Sequence, residues 1–196
     1  GTAYHFENNY MQRYNYNRLL IELTGVGNLT NDDEVTVTTY RGLDNLLTDA
    51  TGKDFIAGGT QRIDGRWGKE FIQTFKGKIV DGVLTTEAAD LNMPWSVTFD
   101  TNTIQYLKDV RFNLRLTAQG AEGLIGAYAD VHDWYYHGTV GWSTHHQSYG
   151  QESSPSMYRA FRRLADGHPD PATGENTAMS AALDVKFTQV FILHPA

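Results

Sequence analysis

The stretch that decides the fold is KIVDGVLT, residues 78–85. Two short runs rich in apolar and β-branched residues flank the pair Asp81-Gly82. An Asp-Gly pair suits a two-residue β-hairpin turn because both central positions of that turn require a positive φ angle. The sequence therefore predicts an antiparallel hairpin within residues 71–86.

Other segments alternate apolar and polar residues, which is the pattern of a strand with one buried face. The clearest is residues 110–117, where Val, Phe, Leu and Leu occupy the even positions and polar residues the odd ones. A turn at residues 118–123 predicts that this strand pairs with the segment that follows. Shorter runs at residues 19–23 and 35–40 and a closing stretch at 183–193 have the same character.

One helix is predicted between Ser154 and Asp166. Ser154 suits the N-cap, Pro155 the first helical position, and Gly167 a position just beyond the end. An apolar stripe at helical spacing runs along one face, and the opposite face is charged. The stripe consists of Met157, Phe161, Leu164 and Ala165, and the charged face of Arg159, Arg162, Arg163 and Asp166.

These patterns together predict one mainly β domain over residues 1–196, in which residues 1–17 form an irregular lead-in. Short strands separated by turn residues are typical of an antiparallel β-sandwich, either jelly-roll-like or Ig-like. One α-helix near residues 154–166 is expected to cover an open end or one face of a sheet.

Composition limits the classes of function. The chain has 196 residues, a net charge of −7 and no cysteine. An acidic chain repels phosphate backbones, so we expect no nucleic-acid partner. No run of about 18 apolar residues exists, which predicts no transmembrane segment. The scarcity of lysine and the many Asn, Thr, Gly and Tyr residues favour an exported protein, periplasmic or extracellular.

Residues 130–152 hold four of the seven histidines. Imidazole and carboxylate groups are ligands that zinc and similar ions select, whereas calcium prefers oxygen ligands. The candidate ligands for a divalent metal, zinc or calcium, are His132, Asp133, His137, His145 and His146. Their spacing does not by itself bring them to one point, because adjacent residues in a strand face opposite ways.

The same segment is rich in large rings, which supports two further interpretations. Amphipathic rings can pack their bodies on the core while their polar tips bind water or backbone groups. Alternatively, exposed rings anchor a protein interface or stack on a sugar. The candidate binding residues are Trp134, Tyr135, Tyr136, Trp142 and Tyr149.

Motifs of catalysis are weak. Residues 141–145 lack the second glycine of a nucleophile elbow. The acidic loops 31–34 and 166–176 lack the calcium-binding spacing of an EF-hand, and solvated turn carboxylates account for them.

The sequence therefore predicts a non-catalytic exported module for binding or self-assembly. Its partner is a protein, a second copy of the chain or a carbohydrate, bound through residues 130–152. The alternative is a metal-dependent hydrolase or other metalloenzyme that uses the cluster His132–His146.

Overall fold

A computed structural model describes residues 18–52, 54–66, 68–95, 103–140 and 154–195. Nine of the strands in these ranges form one antiparallel sheet: β1 (Leu19–Thr24), β2 (Asp32–Arg41), β4 (Gln73–Val80), β5 (Val83–Thr86), β6 (Ala89–Trp95), β7 (Thr103–Thr117), β8 (Gly120–Asp130), β9 (Gly167–Pro169) and β10 (Asn176–Thr188). Their order across the sheet is β1-β2-β4-β5-β7-β8-β10-β9, with β6 also paired to β7.

The remaining described elements lie outside this sheet. Strand β3 (Gly59–Arg62) and strand β11 (Val190–Leu193) form a two-stranded parallel sheet. A short 3-10 helix at Lys69–Phe71 precedes β4. Two α-helices, α1 (Val131–Val140) and α2 (Ser154–Leu164), contact each other and β10.

The hairpin predicted at residues 71–86 is confirmed as β4 and β5. Val80 pairs with Val83, and Asp81 and Gly82 have φ angles of 50° and 75°. Positive φ at both positions is the requirement of the tight hairpin turn. A non-glycine residue in this region is uncommon, and Asp is among the few that tolerate it.

The pairing predicted around residues 118–123 is also confirmed. Strand β7 pairs with β8 from Thr117 opposite Gly120 to Leu107 opposite Ala129. The even residues of β7 from Val110 to Leu114 are buried, whereas the odd ones are exposed. A register shift lies between Lys108 and Arg111, where Asp109 has a φ of 52°.

The core lies on one face of this sheet. The rings of Phe75 and Phe112 meet edge to face with centroids 5.1 Å apart, a geometry that aromatic pairs prefer. The buried core cluster consists of Val35, Val37, Phe75, Ile79, Leu84, Leu91, Leu107, Val110, Phe112, Leu114, Ile125 and Ala129.

A buried ionic network links β2 to the segment after β3. The carboxylate of Asp64 is 1% exposed and lies between Arg66, at 2.7 Å, and Nε of Arg41, at 3.4 Å. Hydrogen bonds from Arg66 lower the pKa of Asp64, and the nearby guanidinium charges lower it further. Burial lowers the pKa of Arg18, which directly precedes β1, to about 10.

The mainly β class and the helix at the predicted position are confirmed. The described strands form one large antiparallel sheet and a small parallel one, and stacking as a jelly-roll-like or Ig-like sandwich stays a prediction. The expectation of a single helix is wrong, because residues 131–140 form α1. No described helix has the length and apolar character needed to cross a bilayer.

Candidate functional site

Helix α1 begins where β8 ends, and Asp130 forms its N-cap. Oδ1 of Asp130 accepts hydrogen bonds from the backbone N–H of His132 at 2.8 Å and of Asp133 at 3.3 Å. These are two of the N–H groups that a helix start leaves without intrahelical acceptors. The side chain of Val131 is fully buried and anchors the first turn. The helix therefore presents the residues that follow at a fixed orientation.

Helix α2 meets this part of α1 through the ring of Tyr158. The Tyr158 hydroxyl lies 3.2 Å from Nε2 of His132, and the two ring centroids are 5.2 Å apart. The Tyr135 ring lies at the same centroid distance from Tyr158, in an edge-on arrangement. His132 and Tyr135 are three positions apart, which puts both on one side of α1. Tyr158 thus joins the two helices.

Two further rings of α1 are exposed. Trp134 is 37% exposed and Tyr136 is 57% exposed. We call His132, Tyr135, Tyr136 and Tyr158 the helix-pair surface; Trp134 projects from the nearly opposite side of α1 and is not part of it. The sequence predicts three of these residues, Tyr135 and Tyr136 as binding residues and His132 as a metal ligand. Tyr158 is not among the predicted site residues. It lies three residues before Phe161, which belongs to the predicted apolar stripe of α2.

The Asp133 carboxyl lies beside this surface and is half-buried. Burial raises the pKa of Asp133, and the neighbouring carboxylate of Asp130 raises it further. The charges of Lys108 and His132 act in the opposite direction. Asp133 therefore holds a proton more readily than a solvent-exposed carboxyl, and it can donate a hydrogen bond when protonated.

The metal hypothesis stays a prediction. Among the residues that the structure describes, no group of three or more His, Cys, Asp or Glu side chains could hold a metal ion. His145 and His146 lie outside those residues, and so do the binding candidates Trp142 and Tyr149. His137 belongs to α1, but its side chain is outside the described part.

The acidic loop 166–176 uses its oxygens within the fold. Asp170 Oδ1 accepts hydrogen bonds from the backbone N–H of Ala172 at 2.7 Å and of Thr173 at 3.1 Å. Glu175 forms an ion pair with Arg162 of α2. This pairing places Arg162, which belongs to the charged face of α2, against the loop. Turn formation and helix docking account for these carboxylates.

A second side-chain cluster, which the sequence did not indicate, joins Asp109 of β7, Tyr128 of β8 and His168 of β9. Nε2 of His168 lies 3.0 Å from Oδ2 of Asp109, and the His168 ring meets the Tyr128 ring at 5.0 Å. His168 and Asp109 both have positive φ angles, 53° and 52°. Such backbone conformations cost about 1 kcal/mol or more for a non-glycine residue. The His168–Asp109 contact holds the bulge of β7 beside β9.

Comparison with protein-family models, with curated proteins and with solved structures gives no match for this chain. The functional interpretation therefore depends on the geometry of the described residues.

Proposed function

We propose that this chain is a non-catalytic binding domain that contacts a protein partner through the helix-pair surface. The observation that carries the proposal is the ring of Tyr158, which contacts both His132 and Tyr135 across the two helices. Exposed Trp and Tyr side chains on a rigid base are the usual anchors of protein interfaces. The exposed ring of Tyr136 has this character.

Ring geometry favours a protein over a carbohydrate. A sugar ring stacks on a flat, accessible aromatic face. Here Tyr135 and Tyr158 meet edge-on and occupy part of each other's surface. Trp134 and Tyr136 are two positions apart on a helix, so they project about 200° apart around its axis. A broad and uneven surface of rings, hydroxyls and an imidazole fits a protein partner better than one sugar.

Two broader predictions belong to this proposal. Export is consistent with the cysteine-free composition, because such a chain tolerates an oxidising compartment. A two-layered β architecture is consistent with burial on both faces of β1. Ile21 packs against the core cluster, while Leu20, which projects to the opposite face, is only 5% exposed. A second layer over Leu20 would make the sandwich.

The experiment compares two tyrosines of similar exposure. Tyr136 is 57% exposed on α1, and Tyr106 is 45% exposed on β7. Immobilised wild-type protein, Tyr136→Ala and Tyr106→Ala are used to capture proteins from the cells that express this chain. We expect one protein to be retained at least about tenfold less by Tyr136→Ala than by the other two, which corresponds to about 1.4 kcal/mol. Titration calorimetry with that protein, purified, then measures the same difference directly.

Two results would oppose the proposal. Equal capture by all three baits would show that the helix-pair surface is not a contact. Binding to a glycan array that is lost in Tyr136→Ala and kept in Tyr106→Ala would make the ligand a carbohydrate instead.

A further inference from the structure

Strand β10 has one side that is largely open. Its other side pairs with β8 from Ala178 to Thr188. On the open side, β9 pairs only with Asn176 and Ala178. Beyond these, no strand of the described ranges pairs with the open side. Residues 181–184 are all exposed, and Leu183 is 48% exposed.

The backbone groups that face this open side can be identified. The carbonyl of Ala178 accepts a hydrogen bond from Asp166, and the N–H of Ser180 donates to Asp166 Oδ1 at 2.7 Å. Both groups therefore point away from β8. The N–H of Gln189, in contrast, donates to Gln119 in the β7–β8 turn. Backbone groups of successive strand residues alternate between the two sides.

It follows that the even residues present their N–H and C=O groups at the open edge. The register between β10 and β8 runs from 178 to 188 without a shift, so the alternation holds along the whole stretch. The residues concerned are Ala182, Asp184, Lys186 and Thr188. A row of unpaired backbone groups on a sheet edge is a template for another strand.

We propose that this edge binds a second copy of the chain, with the two β10 strands antiparallel about a two-fold axis at Val185. This register forms two identical pairs, and in each of them Asp184 of one copy lies opposite Lys186 of the other. Both are residues whose backbone groups face the edge, so each pair can exchange two hydrogen bonds. Opposite charges directly across two strands stabilise the pairing.

The other two-fold registers that satisfy the backbone groups are worse. An axis at Asp184 puts two aspartates opposite each other, and an axis at Lys186 puts two lysines opposite each other. Like charges directly across a strand pair are destabilising. An axis at Leu183 brings Lys186 opposite Ser180, whose N–H is already bonded to Asp166. Only the axis at Val185 combines free backbone groups with opposite charges.

The length of the open edge fits the same axis. The available stretch starts after Ser180, and it ends at Gln189, where the chain leaves the sheet to form β11. Residues 182–188 fill this window and are centred on Val185. Antiparallel pairing about Val185 therefore uses the whole window.

The apolar side chains agree with this arrangement. Val185 and Phe187 are partly buried and pack against the core cluster, and Leu183 lies on the same face of β10 by the alternation of a strand. The proposed register places Leu183 opposite Phe187 of the other copy, so the exposed Leu183 side chain is covered. A seven-residue contact is small beside a standard interface of about 1,600 Å². We therefore expect a weak, concentration-dependent dimer, independent of the helix-pair surface.

A single introduced cysteine tests the register, because the chain has no cysteine of its own. At the axis, Val185 faces its copy in a non-hydrogen-bonded pair, with Cα atoms about 4.5 Å apart. Disulfides need Cα atoms about 4.4–6.8 Å apart. Val185→Cys is therefore expected to form a covalent dimer under mild oxidation. In the control Leu183→Cys, the two thiols are four residues apart, or about 13 Å, and are expected to stay unlinked.

Charge reversal provides a second test in the Val185→Cys background. Lys186→Asp places a carboxylate opposite Asp184 in both pairs. We expect the cross-linking rate to fall at least about tenfold, which corresponds to a loss of about 1.4 kcal/mol in dimer stability. Adding Asp184→Lys restores opposite charges and should restore the rate. The proposal is overturned if Leu183→Cys cross-links as fast as Val185→Cys, if Val185→Cys stays monomeric, or if the double reversal does not restore the rate.

Discussion

Nε of Arg41 lies 3.4 Å from the Oδ2 carboxylate oxygen of Asp64, and both side chains are at least nine-tenths buried. Asp64 also accepts two hydrogen bonds from the Arg66 guanidinium, at 2.8 and 2.7 Å, and one from the Arg66 backbone N–H at 3.2 Å. One carboxylate therefore balances two guanidinium groups where the segment after β3 crosses the end of β2. Removing one partner of a buried ion pair is costly because the remaining charge stays buried.

The first prediction concerns this carboxylate. Asp64→Asn is expected to lower the free energy of unfolding by about 3 kcal/mol at pH 7. The guanidinium contacts lower the pKa of Asp64 in the folded state. Its stabilisation is therefore present above the unfolded pKa of about 3.9 and is lost as the pH falls through the folded pKa. Urea unfolding at pH 7 and pH 3 measures the difference. The prediction is wrong if Asp64→Asn lowers the free energy of unfolding equally at both pH values. It is also wrong if the exposed control Asp33→Asn lowers it as much as Asp64→Asn does.

The second prediction concerns the turn that decides the fold. Gly82 has a φ of 75°, and a Cβ at this position would meet no atom within 4 Å. Gly82→Ala is therefore expected to cost about 1 kcal/mol through backbone conformation alone. Gly65 has equally open space and no positive φ, so Gly65→Ala is the matched control and should cost less. Equal losses in thermal unfolding of the two variants would contradict the turn assignment.

The third prediction concerns Asp133 beside the helix-pair surface. Burial and Asp130 raise the pKa of its carboxyl in the folded state. A raised folded pKa favours the fold at low pH and penalises it as the pH rises. Asp133→Asn keeps the shape and removes the charge, so the variant is expected to be more stable than the wild type at pH 7. Below about pH 4, the unfolded value, this gain should disappear. A variant that is less stable at pH 7 would show that the carboxylate is favourably placed.

The fourth prediction separates the binding domain from the metalloenzyme alternative. Elemental analysis of purified protein is expected to find far less than one transition-metal ion per chain. A stoichiometric zinc content that His137→Ala or His145→Ala removes would instead support the metalloenzyme.

The elements that sequence patterns predict best are those with strong local signals. The pair Asp81-Gly82 defines its hairpin because few other turns place two residues at positive φ. Ser154 and Pro155 mark the start of α2 because serine is preferred at the N-cap and proline at the first helical position. Strand β9 is three residues long, too short for any periodicity, and it exists because β10 offers it an edge.

Helix α1 was missed because its sequence favours other structures. It contains a glycine and several aromatic and β-branched residues, which have low helix propensity. The signal that was available is Asp130, which suits an N-cap, followed three residues later by the acidic Asp133. The contact between Tyr158 and His132 could not be predicted, since it depends on how two helices pack. The open edge of β10 likewise depends on which strands lie beside it.

The sheet description and the proposed dimer both require that one edge of β10 is open. Amide hydrogen exchange measured by NMR tests it residue by residue. At low protein concentration, the amides of Ala182, Asp184 and Lys186 should exchange much faster than those of Leu183 and Val185, which face β8. At high concentration, the three fast amides should become protected. Uniform protection of residues 182–186 at the lowest concentration would contradict the account, because it would mean that the edge is already paired within one chain.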